Sequence, residues 1–136
     1  MKDRQRVVVD TNALVSRLLL PVSIRGRAVD KAVDEAQLLI SEATLEELAD
    51  VLARAKFDSY ITVGERQEFL RLLDRIAVMV PIIHTIRACR DARDDKFLEL
   101  AVNGEASLII IGDADLLELD PFQGIPIITP ASYLGR

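Results

Sequence analysis

Two short apolar runs dominate the hydrophobic pattern of the chain and predict buried β-strands. One is Val7-Val8-Val9, and the other covers residues 108–111, where a leucine precedes three isoleucines. Both runs are too short for buried helices, and β-branched residues favour strands. Shorter strands are predicted at residues 38–40, 82–83 and 126–129. Strands that are apolar on both faces are typical of a parallel sheet that is covered by helices on each side.

Helical periodicity occupies the segments between these strands. The predicted helices cover residues 11–20, 25–36, 42–55, 64–80, 94–103 and 113–119, and a last helical turn follows Pro130. Residues 57–63 are predicted to be irregular. The helix over residues 64–80 is expected to bury one face, made of Phe69, Leu70, Leu73, Ile76, Ala77 and Val80. The alternation of strands and helices predicts a three-layer α/β/α sandwich, and the length of the chain predicts one domain over residues 1–136.

Composition and charge exclude several classes of function. The formal net charge of −5 argues against broad, charge-driven binding of nucleic acids. The single Cys89 has no cysteine partner for a disulfide or a zinc cluster, and there is no glycine-rich phosphate loop. No apolar stretch approaches the ~20 residues of a membrane span. Met1-Lys2-Asp3-Arg4 leads directly toward the first strand without a signal-peptide pattern. We therefore expect a cytoplasmic protein that makes no membrane contact.

Two aspartates follow the two most apolar strands. Asp10 comes directly after Val9, and Asp113 follows Ile111-Gly112. In open α/β sheets, ligands bind beyond the carboxyl ends of the strands, where the strand order reverses. The two aspartates therefore meet if their strands are neighbours. Asp10 alone is explained equally well as a helix N-cap, and Asp115 as a cap of the helix that follows.

Two further acids lie on predicted helices, each beside a second acid. Glu47 borders the apolar stripe of its helix, whereas Glu46 lies on the solvated face. Asp94 begins an inward stripe, and Asp95 is expected to point toward solvent. Glu47 taken alone is more simply a surface charge, and Asp94 is as easily an N-cap.

A group of four acids at one end of a core is explained best by a bound cation. Clustered carboxylates repel one another and raise at least one pKa, and Mg²⁺ or Mn²⁺ prefers such hard oxygen ligands. A basic rim would suit a phosphate-bearing substrate, although charge alone favours an ordinary mixed-charge surface. The residues of this rim are Arg17, Arg25, Arg27, Lys31, Arg87, Arg90, Arg93 and Lys96. We therefore predict a divalent-metal site for phosphodiester cleavage, formed by Asp10, Glu47, Asp94 and Asp113.

Several motifs in this order resemble those of the PIN domain, specifically the branch assigned to toxins of bacterial toxin–antitoxin pairs. The resemblance covers nearly the whole chain. Its motifs are Val8-Val9-Asp10-Thr11-Asn12, Ser41 with Leu45-Glu46-Glu47-Leu48, Asp91-Ala92-Arg93-Asp94-Asp95-Lys96-Phe97-Leu98 with Ala101, Gly112-Asp113-Ala114-Asp115-Leu116-Leu117, and Ile128-Thr129-Pro130. One position departs from the pattern, because Ile111 stands where the family often has a hydroxyl residue that could support a metal ligand.

The resemblance implies a fold, an activity and partners. It implies a PIN-like five-stranded parallel sheet in the order 3-2-1-4-5, so that the strands before Asp10 and Asp113 are neighbours. It implies a Mg²⁺- or Mn²⁺-dependent endoribonuclease that acts on RNA, commonly as a homodimer silenced by a cognate antitoxin. We expect Asp10, Asp94 and Asp113 to hold the first ion. Glu47 would hold a second ion or orient water, with Asn12 and Asp115 as outer support.

Three other functions compete with a metal-dependent nuclease. A non-catalytic PIN-like module that binds RNA or a protein stays open, because of Ile111 and the acidic balance. A phosphatase of the haloacid dehalogenase type needs an aspartate where this chain has Asn12. A nucleotide-binding α/β domain is disfavoured by the missing phosphate loop.

Overall fold

A five-stranded parallel sheet forms the centre of the protein, which a computed structural model describes from residue 4 to residue 136. Residues 1–3 of the predicted N-terminal segment lie outside the described residues. The strand order is β3-β2-β1-β4-β5, which confirms the predicted order. The strands are β1 (Arg6–Val9), β2 (Gln37–Ile40), β3 (Val78–Met79), β4 (Leu108–Ile110) and β5 (Ile127–Ile128).

Helices cover both faces of this sheet and confirm the three-layer α/β/α sandwich. Most predicted boundaries differ from the observed ones by one to three residues, which reflects capping residues that end the periodic pattern early. The helices are α1 (Thr11–Leu19), α2 (Ile24–Glu35), α3 (Glu42–Leu52), α4 (Val63–Ile76), α5 (Asp95–Asn103), α6 (Ala114–Leu117) and α7 (Pro130–Leu134), with short 3-10 helices at Ala55–Phe57 and Ala92–Asp94.

The central strands supply side chains to two separate hydrophobic clusters, one on each face. Val7 and Val9 of β1 belong to the first cluster, and Val8 belongs to the second. In β4, Ile110 belongs to the first cluster and Ile109 to the second. This alternation is the period of two that a strand imposes on its side chains. It explains why Val7–Val9 of β1 and all of β4 are apolar on both faces of the sheet.

The register of β1 and β4 brings the ends of these two strands to the same edge of the sheet. Val9 pairs with Ile110, and the Asp10 backbone N–H donates to the Ile110 carbonyl at 3.2 Å. The residues that follow, Asp10 on one strand and Gly112-Asp113 on the other, therefore leave the sheet side by side.

The predicted helix over residues 64–80 is confirmed as α4, but its predicted end at residue 80 is wrong, and so is the predicted strand at residues 82–83. Helix α4 ends at Ile76, because Ala77 adopts an extended conformation. The strand is Val78–Met79, and the Val80 backbone N–H continues the pairing by donating to Ile40 at 2.8 Å. Ile76 is 43% exposed, so it does not belong to the inner face of the helix. Long-range pairing with β2 therefore outweighs the helical periodicity of this segment.

Residues 82–83 form a different contact from the predicted strand. The backbone N–H groups of Ile83 and His84 both donate to the Asn103 side-chain carbonyl, at 2.9 and 2.8 Å. Asn103 ends α5, so this contact ties the segment after β3 to that helix. None of the helices within residues 4–136 is long and apolar enough to cross a membrane.

Two glycines provide a matched test of this packing. A Cβ at Gly26 would lie 2.8 Å from the carbonyl oxygens of Leu20 and Pro21, whereas a Cβ at Gly64 would meet nothing closer than 3.8 Å. We expect Gly26→Ala to lower the free energy of unfolding by ~1–3 kcal/mol through overpacking. Gly64→Ala should raise the free energy of unfolding by ~0.4–1 kcal/mol, because alanine gives the unfolded chain less conformational freedom than glycine. Urea unfolding measures both, and a Gly26→Ala variant as stable as the wild type would contradict the close approach.

Candidate functional site

A cleft of about 340 Å³ lies at the carboxyl edge of β1 and β4. All four predicted acids line it, although they come from different parts of the chain: Asp10 from the end of β1, Glu47 from α3, Asp94 from the start of α5, and Asp113 from the loop after β4. The cleft walls also carry two exposed arginines, Arg54 and Arg93. The structure therefore gathers an acidic centre and a partly basic rim in one place.

Asp10 is the most buried acid of the cleft, at 6% exposed. Its Oδ1 accepts a hydrogen bond from the Ala13 backbone N–H at 2.9 Å, and its Oδ2 accepts one from the Gly112 N–H at 3.0 Å. Burial raises the pKa of Asp10, although these hydrogen bonds and the nearby Arg25 oppose the shift. Asp10 is thus the N-cap of α1 and at the same time a wall of the cleft.

Glu47 faces the cleft through two side-chain contacts. Its Oε1 accepts a hydrogen bond from the Lys96 ammonium at 2.8 Å, and its Oε2 accepts one from the Thr11 hydroxyl. The neighbouring Glu46 is exposed, as its helical position predicts. Glu47 is therefore part of a contact between α1, α3 and α5, and it is not a simple surface charge.

Asp94 and Asp113 interact across the cleft. Burial raises the pKa of Asp94, and the charges of Asp113, Asp91 and Glu47 raise it further. Repulsion among clustered carboxylates therefore adds to burial in raising the pKa of Asp94, in the direction that the sequence analysis expected. Asp94 makes no side-chain capping hydrogen bond at the start of α5, so the N-cap explanation does not account for its carboxylate.

Asp113 is the N-cap of α6, a role that the sequence suggested for Asp115. The Asp113 Oδ1 accepts hydrogen bonds from the backbone N–H groups of Asp115 at 2.8 Å and Leu116 at 3.3 Å. Asp115 does not line the cleft, and its carboxylate lies 3.8 Å from Arg90. Asn12, the other predicted auxiliary residue, is exposed and does line the cleft.

The expectation that Asp95 points toward solvent is wrong. Asp95 is 9% exposed, and its Oδ1 accepts hydrogen bonds from the Ala88 and Cys89 backbone N–H groups at 3.0 and 2.7 Å. Asp95 and Glu99 do share one face of α5, but the preceding loop covers that face, since the Ile86 backbone N–H likewise donates to Glu99 at 3.0 Å. Burial opposes ionisation of Asp95, but the hydrogen bonds from Ala88 and Cys89 outweigh it and lower the pKa.

Cys89 is not a reactive thiol in this environment. Burial, followed by the neighbouring Asp95 carboxylate, raises the pKa of Cys89 to about 12. The thiolate is the nucleophilic form of cysteine, and it is essentially absent at neutral pH when the pKa is this high. Asp95 and Cys89 therefore fix the loop before α5, close to the acids but without a chemical role of their own.

Asp91 is a cleft residue to which the sequence analysis assigned no role. Its carboxylate accepts hydrogen bonds from the Arg93 guanidinium at 2.8 and 3.1 Å, which lower the pKa of Asp91. Asp91 and Asp94 are three residues apart, a spacing that places two acids on the same side of a helical turn. This spacing was the signal in the sequence that could have identified Asp91. It places Asp91 beside Asp94 because residues 92–94 form a 3-10 helix.

The donor set of the cleft fits Mg²⁺ or Mn²⁺ by its chemistry. The four acids offer hard carboxylate oxygens, which these ions prefer. Within residues 4–136, however, no three acidic, histidine or cysteine side chains lie close enough together as placed to hold an ion. Asp10, Glu47 and Asp113 are instead held by protein hydrogen-bond donors. Ion binding at this site therefore requires some of these side chains to change partners.

Comparisons with known proteins agree with this architecture. A sequence model described as "PIN domain" matches residues 6–115, a range that includes all four acids. The chain is 31% identical over 122 residues to the uncharacterized protein MJ1680 of Methanocaldococcus jannaschii, across 87% of this chain and 77% of that protein. Its fold is similar to the crystal structure of VapBC2 from Rickettsia felis bound to a promoter DNA fragment. That match has a TM-score of 0.64 and 11% identity, and it covers 91% of this chain and 98% of that chain.

The raised pKa of Asp94 generates a prediction about stability without metal. Ionisation of Asp94 is disfavoured in the folded state. The ionised carboxylate therefore lowers the stability of the fold above the pKa of folded Asp94, and it has no effect below the pKa of unfolded Asp, which is about 3.9. Asp94→Asn should therefore raise the melting temperature in EDTA by a few degrees at pH 7 and by nothing near pH 3. Glu46→Gln, at an exposed acid, is the matched control. An Asp94→Asn variant that melts at or below the wild-type temperature at pH 7 would contradict the mutual repulsion.

Proposed function

Because the chain belongs to the PIN domain family, we propose that it is a Mg²⁺- or Mn²⁺-dependent endoribonuclease and the toxin of a toxin–antitoxin pair. The observation that carries this proposal is the shared cleft of Asp10, Glu47, Asp94 and Asp113. Four acids from distant parts of the chain converge at the sheet edge where α/β proteins bind ligands. Such an arrangement lowers the stability of the metal-free protein, and a divalent cation removes that cost.

In the proposed mechanism, each acid has a distinct task. Asp10, Asp94 and Asp113 hold the first ion, and Glu47 holds a second ion or orients the attacking water. Asn12 supports this set from the rim. When bound, Mg²⁺ or Mn²⁺ supplies Lewis acidity at the phosphate and lowers the pKa of water. The rigid hydrogen bonds of Asp10 to two backbone amides fix one ligand, while the exposed Asp113 adapts to the ion.

The substrate phosphate is held by the basic side chains at the cleft. Arg54 and Arg93 both line the cleft and are exposed, so they are accessible to an RNA strand. The net charge of the protein is −5, but contact with a nucleic-acid substrate needs basic residues only at the cleft. The two arginines can therefore bind the phosphate of an acidic substrate. Binding should accordingly weaken as the salt concentration rises.

We further propose that the protein acts in the cytoplasm, as one domain over residues 1–136, with a cognate antitoxin and as a homodimer. The VapBC2 structure, which this fold resembles, is a complex bound to promoter DNA. Support from this chain comes from the turn between α1 and α2, where Leu20, Val22 and Ile24 are 63%, 85% and 51% exposed. Adjacent exposed apolar residues of this size favour a protein partner.

A non-catalytic PIN-like module is the second candidate function. It is favoured by the side chains as placed, since no three potential ligands in the described part of the chain are close enough to hold an ion. Ile111 is fully buried in the second hydrophobic cluster and offers no hydroxyl to the cleft. Mn²⁺ distinguishes the two candidates, because ion binding raises the melting temperature of a functional metal site and leaves a non-catalytic module unchanged.

Asp10→Asn tests the enzymatic proposal most simply. Asparagine keeps one carbonyl acceptor for the capping bond but loses the charged oxygen that an ion needs, so Mn²⁺-dependent cleavage of RNA should fall by about 100-fold or more. Circular dichroism should show that the fold is retained. Glu46→Gln, which removes an exposed acid from the same protein, should cleave at the wild-type rate. Undiminished cleavage by Asp10→Asn would rule out Asp10 as a metal ligand.

A further inference from the structure

Among residues 4–136, Lys96 is the one lysine that contacts any of the four acids of the cleft. Its ammonium lies 2.8 Å from the Glu47 Oε1, and the two side chains are 21% and 26% exposed. The pair joins α5 to α3 across 49 residues of sequence. An ion pair shielded from water to this degree is screened less than a surface pair. Lys96 therefore neutralises part of the acidic cleft from within the protein.

Lys96 lies at the end of its helix where a positive charge is unfavourable. Lys96 is the second residue of α5, where the unpaired backbone N–H groups carry partial positive charge. The helix dipole disfavours a cation there and favours an anion. Local helix energetics thus do not explain a lysine at this position. The acids near it do explain it, because Lys96 forms an ion pair with Glu47 and its charge opposes the raised pKa of Asp94.

Both carboxylate oxygens of Glu47 are occupied in this arrangement. Thr11 donates its hydroxyl to Oε2, and Lys96 donates to Oε1. A metal ion that uses Glu47 must therefore replace at least one of these donors. Of the two donors, the ion favours displacement of the lysine, because a bound dication repels the Lys96 ammonium but not the neutral Thr11 hydroxyl.

We propose that Lys96 is an internal counter-cation of the acidic cleft, which holds Glu47 in the metal-free protein and is displaced when a divalent ion binds. This inference rests on the proposed metal-dependent function and adds a regulatory element to it. Lys96 is a positioning residue, and it keeps the acids together at the cost of a lower affinity for the ion. The free protein then stays folded, and the site loads only when the divalent ion is sufficiently concentrated.

Titration calorimetry with Mn²⁺ on the full chain tests the competition without any nuclease assay. Lys96→Met removes the charge and keeps most of the side-chain volume, so Mn²⁺ should bind about tenfold more tightly at low ionic strength. Lys96→Arg keeps the charge and should bind Mn²⁺ like the wild type. Lys56→Met makes the same change at an exposed residue that does not line the cleft, and its affinity should not change.

The other outcomes of this titration overturn the inference in distinguishable ways. Equal affinity of Lys96→Met and the wild type means that Lys96 does not compete with the ion. Weaker binding by Lys96→Met means that the lysine only orients Glu47 as a ligand. Both results leave the proposed function intact. If neither the wild type nor Lys96→Met binds Mn²⁺, the metal-dependent function fails and this inference fails with it.

A double-mutant cycle in EDTA tests the pair in the metal-free protein. Urea unfolding of Lys96→Met, Glu47→Gln and the double variant measures whether the two charges stabilise each other. Each single variant leaves one charge without its partner, so the double variant should lose less stability than the sum of the two single losses. Strictly additive losses would overturn the inference, because the two side chains would then not interact in solution.

Discussion

The buried carboxylate of Asp10 connects the fold of this protein to its candidate site. One of its oxygens caps α1, and the other accepts the Gly112 N–H beyond the neighbouring strand β4. These bonds fix the relative positions of the two strand ends from which Asp10 and Asp113 enter the cleft. They also oppose the cost of burying a charge, which nevertheless keeps the pKa of Asp10 above its ordinary value. The Asp10 carboxylate therefore positions the two strand ends and also introduces an unfavourable buried charge at this edge of the sheet, which we call electrostatic strain.

That strain is shared by the other acids and is only partly offset by the protein. Lys96 pairs with Glu47, and Arg93 pairs with Asp91, while Asp94 has no ion-pair partner among residues 4–136 and retains a raised pKa. A core region that was optimised for stability alone would not contain this set of charges. The arrangement is understandable if a divalent cation completes it, because a dication gains from every carboxylate that the protein has brought together.

Several elements could be predicted from the sequence because they depend on local patterns. The two apolar runs defined β1 and β4, and helical spacing separated Glu47 from the exposed Glu46. For these two features, the period of two in strands and that of 3.6 in helices carried the information. The convergence of Asp10 with Asp113 needed more than periodicity, because the strand order that makes their strands neighbours was implied by the resemblance to PIN domains.

Other features could not be predicted because they depend on contacts between distant residues. The short strand Val78–Met79 exists through pairing with β2, and the flanking residues Ala77 and Val80 had the spacing of the helical stripe that precedes them. The burial of Asp95 depends on the loop that packs over its face of α5 and donates the Ala88 and Cys89 backbone N–H groups to its carboxylate. The ion pair of Lys96 with Glu47 joins two helices, and nothing in either local sequence indicates it.

The central claim is that a divalent cation holds these carboxylates together. An anomalous diffraction map from crystals of the full chain soaked in Mn²⁺ tests this claim most directly, since it locates the ion and its ligands. The account predicts a manganese peak within coordination distance of carboxylate oxygens from Asp10, Asp94 and Asp113, with Lys96 moved away from Glu47. A map with no manganese in the cleft, or with manganese bound only elsewhere on the surface, would contradict the account.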